Sequence, residues 1–257
     1  MLETENVKAV RKVEHSQIVM PRGKYITTKI SEESLSKQTI AKHIVENYIK
    51  DFDAVLLDAG STAEIIAEKM FAQRKFLSVL TNNMGAYAAY TIAREQKSYR
   101  DEDEEQKDPP NHGNELLLSG GRYVDVYESL LGEGAIKSFT DFTPNVVIIG
   151  TSGLRCEEGI FCHGSEEAAV KQLLLTKLTD TKLIATDWTK IGKRDARSFG
   201  SIAQLCSHAD RAVIVTTEPP RELYKTKPDL VKEFDNQIKK METEYKIIVE
   251  KVPVNTN

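Results

Sequence analysis

Leu56-Leu57-Asp58-Ala59-Gly60-Ser61-Thr62-Ala63-Glu64 is an apolar run that stops at a small, hydroxyl-bearing loop and resumes with helical spacing. Val55 to Leu57 suit a buried parallel strand, Gly60 permits a tight turn, and Ser61 and Thr62 bring hydroxyls and N–H groups to a helix start. The helix dipole favours an anion there, so strand, turn and helix together make a phosphate-site candidate. The same residues leave a second reading open, in which Ser61 or Thr62 only caps the helix carrying Ile65, Ile66 and Met70.

Outward from this stretch the grammar repeats. Ile40, Ala41, Ile44, Val45 and Tyr48 recur at three- and four-residue steps and predict a helix over 36–49, ahead of a strand at 54–57. Strands are predicted at 76–80, 115–118, 145–149, 182–185 and 212–215, with helices at 86–94 and 166–178 between them. The expected fold is therefore α/β, a mostly parallel, Rossmann-like sheet flanked by helices. In such sheets ligands sit outside the carboxyl ends of the strands, which gathers Asp58, Asn82, Gly121, Thr151 and Asp187 at one edge. Three stretches follow for the domain plan: an N-terminal extension at 1–35, a sensor-like core at 36–217, and a peripheral segment at 218–257 with a helix at 229–241 and a strand at 246–249. Residues 95–114, with Asp101-Glu102-Asp103-Glu104-Glu105 and Pro109-Pro110, read as a flexible acidic insertion within the core; binding of a basic partner or a cation is the alternative.

Composition bounds the function classes. The chain has 257 residues, 40% hydrophobic and 29% charged, enough for one large or two smaller domains. No apolar run approaches the ~20 residues of a membrane span, and the N-terminus lacks the order of a secretory signal, so a cytoplasmic location is expected. Cys156, Cys162 and Cys206 form no CxxC pair and read as free thiols, and His15, His43, His112 and His208 show no metal-ligand spacing; neither metal nor cofactor is expected. A net charge of −4 gives no general pull toward nucleic acid, although residues 8–24 are locally basic.

Six blocks then line up in order: Asp58-Ala59-Gly60-Ser61-Thr62, Leu80-Thr81-Asn82, Gly120-Gly121-Arg122, Gly150-Thr151-Ser152-Gly153, Glu166-Glu167-Ala168-Ala169-Val170-Lys171, and Asp187-Trp188-Thr189-Lys190-Ile191-Gly192. Their order and spacing over 36–217 resemble the effector-sensing domain of DeoR-type regulators. Any one block occurs by chance, whereas their collinearity is specific. The resemblance implies an isomerase-like and CoA-transferase-like fold, akin to ribose-5-phosphate isomerase, that binds a phosphorylated sugar or similar metabolite. Full-length members carry a winged helix-turn-helix ahead of the sensor. Here about 35 residues precede the first sensor helix, and Met20-Pro21-Arg22-Gly23 interrupts them, so direct DNA binding is not expected.

The candidate ligand-binding residues are Asp58, Gly60, Ser61, Thr62, Asn82, Gly120, Gly121, Arg122, Thr151, Ser152, Gly153, Glu167, Lys171, Asp187 and Lys190. Ser61, Thr62 and the Gly60 backbone would hold the phosphate. Gly120 and Gly121 would let a second backbone approach, with Arg122 as charge partner, or else form a plain turn. Lys171 and Glu167 are four residues apart, so a surface ion pair competes with a ligand role. Asp187 can face sugar hydroxyls and Lys190 an anionic oxygen, or Asp187 caps a helix beside a solvated lysine. Trp188 stacks on a sugar or fills a wall. His163 is the candidate for acid/base chemistry, with a purely structural loop histidine as the alternative.

Two functional classes result. The first is a metabolite sensor that closes on a phosphorylated sugar and reports to a protein partner, or through a homo-oligomer interface, by population shift. The second is a sugar-phosphate isomerase-like enzyme, with Asp187 or Glu167 as base and Lys190 or Lys171 stabilising an enediolate.

Overall fold

The computed structural model describes residues 28–29, 31–98 and 112–254. The basic stretch 8–24, the interrupting Met20-Pro21-Arg22-Gly23 and the acidic run 101–105 lie outside these residues. Helix α1 (Ser34–Tyr48) leads into strand β1 (Ala54–Leu57), and Gly60 opens helix α2 (Ser61–Gln73). Strand β2 (Ser78–Thr81), helix α3 (Met84–Ser98) and strand β3 (Glu115–Leu118) repeat the unit. A short hairpin, β4 (Arg122–Val124) and β5 (Ser129–Leu131), leads to helix α4 (Glu133–Asp141) and to β6 (Val146–Gly150). Strands β7 (Gly153–Arg155) and β8 (Gly159–Cys162) precede helix α5 (Ser165–Thr176) and β9 (Thr179–Ala185). Then come β10 (Arg197–Gly200), α6 (Ile202–Ser207), β11 (Ala209–Thr217), α7 (Leu223–Thr226), α8 (Pro228–Thr243) and β12 (Ile248–Val252).

Seven strands form one all-parallel sheet in the order β12-β11-β9-β6-β1-β2-β3. From β1 the chain winds outward through β2 and β3, then returns and winds the other way through β6, β9, β11 and β12. The direction reverses between β1 and β6, which is where a doubly wound sheet opens its binding crevice. Side chains alternate along each strand. Val55 and Leu57, Val146 and Ile148, Leu183 and Ala185, and Val213 and Val215 face one core with α1, α2 and α3. Leu56, Val147, Ile149, Ile184 and Ile214 face a second core with α4, α5, α6 and α8. Buried on both faces, these strands read as continuous apolar runs.

The structure adds to and corrects the sequence reading. Residues 218–257 were read as peripheral, yet α8 buries Phe234, Ile238 and Met241 in the second core, and β12 pairs with β11 from Val213↔Ile248 to Thr217↔Val252. The β4–β5 hairpin, the helices α4, α6 and α7, and a small antiparallel sheet β10-β8-β7 escaped the sequence pattern. The strands among them are three or four residues long, too short for a period to show. Among the described residues no helix is long and apolar enough to cross a membrane, no acidic, His or Cys cluster could hold a metal ion, and the three cysteines are free.

Candidate ligand-binding cleft

The cleft lies at the reversal point. Asp58 follows β1 and is fully buried; its backbone N–H donates to the Ile148 carbonyl at 3.0 Å, and its Oδ2 accepts from the Gly150 N–H at 3.0 Å. The same oxygen accepts from the Lys171 ammonium, which also donates to the Gly150 carbonyl at 3.0 Å and sits 3.5 Å from Glu167 Oε1. Lys171 is 2% exposed, so the surface-pair reading fails: it is an internal tie between β1, β6 and α5. Burial alone would push this ammonium down, but the Asp58 and Glu167 carboxylates outweigh it and hold Lys171 well above its ordinary range.

Gly60 sits at φ 125°, a conformation that side chains disfavour, and so turns the chain straight from β1 into α2. No side chain caps α2, which leaves its first N–H groups and the Ser61 and Thr62 hydroxyls facing the cleft. The loop is held from behind by Asn83, whose amide donates to the Gly60 carbonyl at 3.2 Å while its oxygen accepts from the Gly85 N–H at 2.9 Å. The sequence reading chose Asn82; the structure places Asn82 against the Leu130 carbonyl at 3.2 Å and gives the loop contact to its neighbour.

Across the cleft, Asp187 Oδ1 accepts from the Thr189 N–H at 3.0 Å and from the Thr189 hydroxyl, which caps the turn Trp188–Lys190. Lys190 lies 3.9 Å from Asp187 Oδ2 and lines the opening. Trp188 is buried in the second core and so fills the wall. Thr151 and Ser152 also line the cleft; the Thr151 hydroxyl is committed to the carbonyls of Gly153 and Phe161 at 2.6 and 2.8 Å, and the Ser152 hydroxyl shares its one proton between the Phe161 carbonyl, at 3.1 Å, and Asp195. His163 Nδ1 is 2.6 Å from Asp195 Oδ2. Burial works against the Asp195 charge, but hydrogen bonds from Ser152, the Ala196 N–H and His163 hold its carboxyl below the usual range.

Not every predicted residue reaches the cleft. Gly120 and Gly121 do not line it: a Cβ on Gly121 would lie 2.5 Å from the Leu131 carbonyl and 3.3 Å from the Ala135 N at the start of α4, and one on Gly120 would meet open space. Arg122 pairs with Glu166 on the surface, and Gly153 backs onto the carbonyl of Lys193. Conversely, Lys29, Glu32, Lys37 and Tyr127 line the cleft and were not foreseen. Lys37 carried a readable signal, since it occupies the same helical stripe as Ile40, Ala41, Ile44 and Tyr48. Burial pushes its ammonium below its ordinary range; Asp187 opposes this, and Lys190 reinforces it. Cys162 is fully buried, and burial pushes its thiol up to about 12, away from the reactive thiolate.

Fold and cleft together define a doubly wound α/β domain with a polar crevice at its reversal point. Residues 108–208 match the DeoR C terminal sensor domain family. It is 24% identical over 186 residues to the transcriptional repressor AccR of Agrobacterium fabrum, covering 72% of this chain and 62% of that one. It is 28% identical over 170 residues to the HTH-type transcriptional regulator GlpR of Haloferax volcanii, covering 66% of this chain and 58% of the relative. The chain thus matches less than two thirds of the length of either protein. A solved ribose 5-phosphate isomerase A from Methanocaldococcus jannaschii superimposes with a TM-score of 0.36 at 13% identity, over 63% of this chain and 55% of that one.

Proposed function

We propose that this chain is a metabolite sensor of a DeoR-like transcriptional regulator and that its cleft binds a phosphorylated sugar or a similar small phosphorylated ligand. The observation that carries the reading is the uncapped start of α2, with Ser61 and Thr62, facing a cleft also lined by Lys37 and Lys190. Backbone N–H groups, hydroxyls and ammonium groups on one small volume suit a phosphoryl group, and the helix dipole adds to their attraction. Asp187, Glu167 and Tyr127 also line the cleft and would meet the hydroxyls of such a ligand. On this reading 36–217 is the sensing unit, and operator contact lies outside it.

The test is thermal unfolding against a panel of sugar phosphates and their unphosphorylated parents. Binding to the native state alone raises Tm by mass action, so a phosphorylated sugar should raise it and the parent should not. No shift with any phosphate, or equal shifts with both forms, would remove the reading. A proton-transfer enzyme is the second reading, favoured by the His163–Asp195 pair on the cleft wall, which orients the imidazole as a base would need. NMR of the bound sugar phosphate in deuterated water separates the two: deuterium entering at the carbon beside the carbonyl marks catalysis.

A further inference from the structure

Lys37 is 3% exposed and, among the described residues, has no carboxylate within ion-pair distance. Its ammonium donates to the carbonyls of Lys29 and Glu32, the latter at 2.6 Å. Those carbonyls belong to a short turn ahead of α1. Within it the Glu32 N–H donates to the Thr28 carbonyl at 3.0 Å, the Ser31 hydroxyl donates to the same carbonyl at 2.9 Å, and Lys29 pairs with Glu32 at 3.0 Å. The turn enters α1 through Glu33 at φ 50°, ψ 38°, a left-handed conformation that a non-glycine residue holds only under constraint. Lys29 and Glu32 are themselves walls of the cleft.

An ammonium has three protons, and two of these are spent on the turn. Carbonyl dipoles compensate a buried charge only in part, and Asp187 acts on this ammonium only from beyond ion-pair distance, so the contact that fastens the turn is costly while no anion touches it. Lys37 and the α2 start line the same cleft, which lets a phosphoryl group there bring counter-charge to this ammonium. We propose that occupation of the cleft and the order of the backbone at Lys29 and Glu32 are one linked equilibrium joined through Lys37: the bound anion holds the ammonium, and the ammonium holds the carbonyls of Lys29 and Glu32. This rests on the phosphate reading of the cleft. It makes the turn the element through which occupancy reaches whatever the N-terminal side of the sensor touches, and the linkage runs both ways.

Amide hydrogen exchange with inorganic phosphate as probe tests this on the full chain, the Lys37→Met variant and the Lys190→Met variant. At saturating phosphate, amides 61–65 should slow in all three. Amides 31–37 should slow about fivefold in the full chain and in Lys190→Met, and not at all in Lys37→Met. Slowing at 61–65 without slowing at 31–37 in the unsubstituted chain overturns the coupling and leaves the phosphate reading standing. Equal slowing at 31–37 in Lys37→Met overturns the role of Lys37. No slowing at 61–65 removes the phosphate reading and the coupling with it. Should Lys37→Met fail to fold, Lys37→Gln, which keeps a donor and loses the charge, reads the same equilibrium.

Discussion

Lys171 and Lys182 are both fully buried, yet the protein treats them in opposite ways. Lys171 meets the carboxylates of Asp58 and Glu167 and is held firmly charged. Lys182, on β9, meets only the carbonyls of Leu175, Lys177 and His208, at 2.5, 2.7 and 3.3 Å, and burial pushes it down to about 8. The first ties the sheet together beneath the cleft; the second collects carbonyls left over where α5 and α6 end. Lys37 likewise donates only to carbonyls, but it opens on the cleft, where Asp187 acts on it from beyond ion-pair distance. A buried cation with no carboxylate in contact, facing an opening, is the strongest physical pointer to an anionic ligand here.

The comparison breaks most visibly at Lys171. Lys171→Met leaves Asp58 buried without its cation, and a loss of about 3–5 kcal/mol is expected in urea unfolding. A loss under ~1 kcal/mol would mean that the tie does not hold the reversal point. Lys182 gives the next effect, with its sign set by linkage. Between about 8 and its ordinary value of 10.5 the unfolded chain carries the Lys182 proton and the folded chain does not, so this group's contribution to stability rises with pH across that window. Its size is on the order of 2 kcal/mol. Buried thiols oppose the trend in the same range, so the quantity to measure is the stability of the protein minus that of Lys182→Met at pH 7.5 and 10. An unchanged difference would place a charged lysine there at both values.

Smaller effects sharpen the same contrast. Lys190→Met removes a half-open cleft cation and should weaken a bound sugar phosphate by about 1–2 kcal/mol, roughly tenfold, in calorimetric titration. Unaltered affinity would take Lys190 out of the site. Arg122→Ala removes an exposed pair with Glu166, and both stability and ligand affinity should stay within about 0.5 kcal/mol. A tenfold loss of affinity would return Arg122 to the site from which the fold removes it.

The sheet was legible because its central strands are buried on both faces and give way to small polar residues, as at Leu57-Asp58 and Ile149-Gly150. The loop at Gly60 was legible because its chemistry is local. What the sequence did not show depends on distant contacts. Asn82 and Asn83 are neighbours of one type, and only the packing of the hairpin, which draws Asn82 to Leu130, decides which of them supports the loop. Glycines at 120 and 121 look the same whether a ligand or α4 comes close. The place of Lys37 on the apolar stripe of α1 was readable, but the carbonyls and the cleft that it meets there are set by distant contacts.

Calorimetric titration of the sugar phosphate that gives the largest thermal shift, into the protein and into Lys37→Met, tests the central claim most directly. Affinity for the phosphate should fall by about tenfold or more in the variant, while the unphosphorylated sugar should bind both proteins alike. Equal phosphate affinity in the two proteins, with both folded, would contradict the claim that Lys37 finds its counter-charge in the ligand.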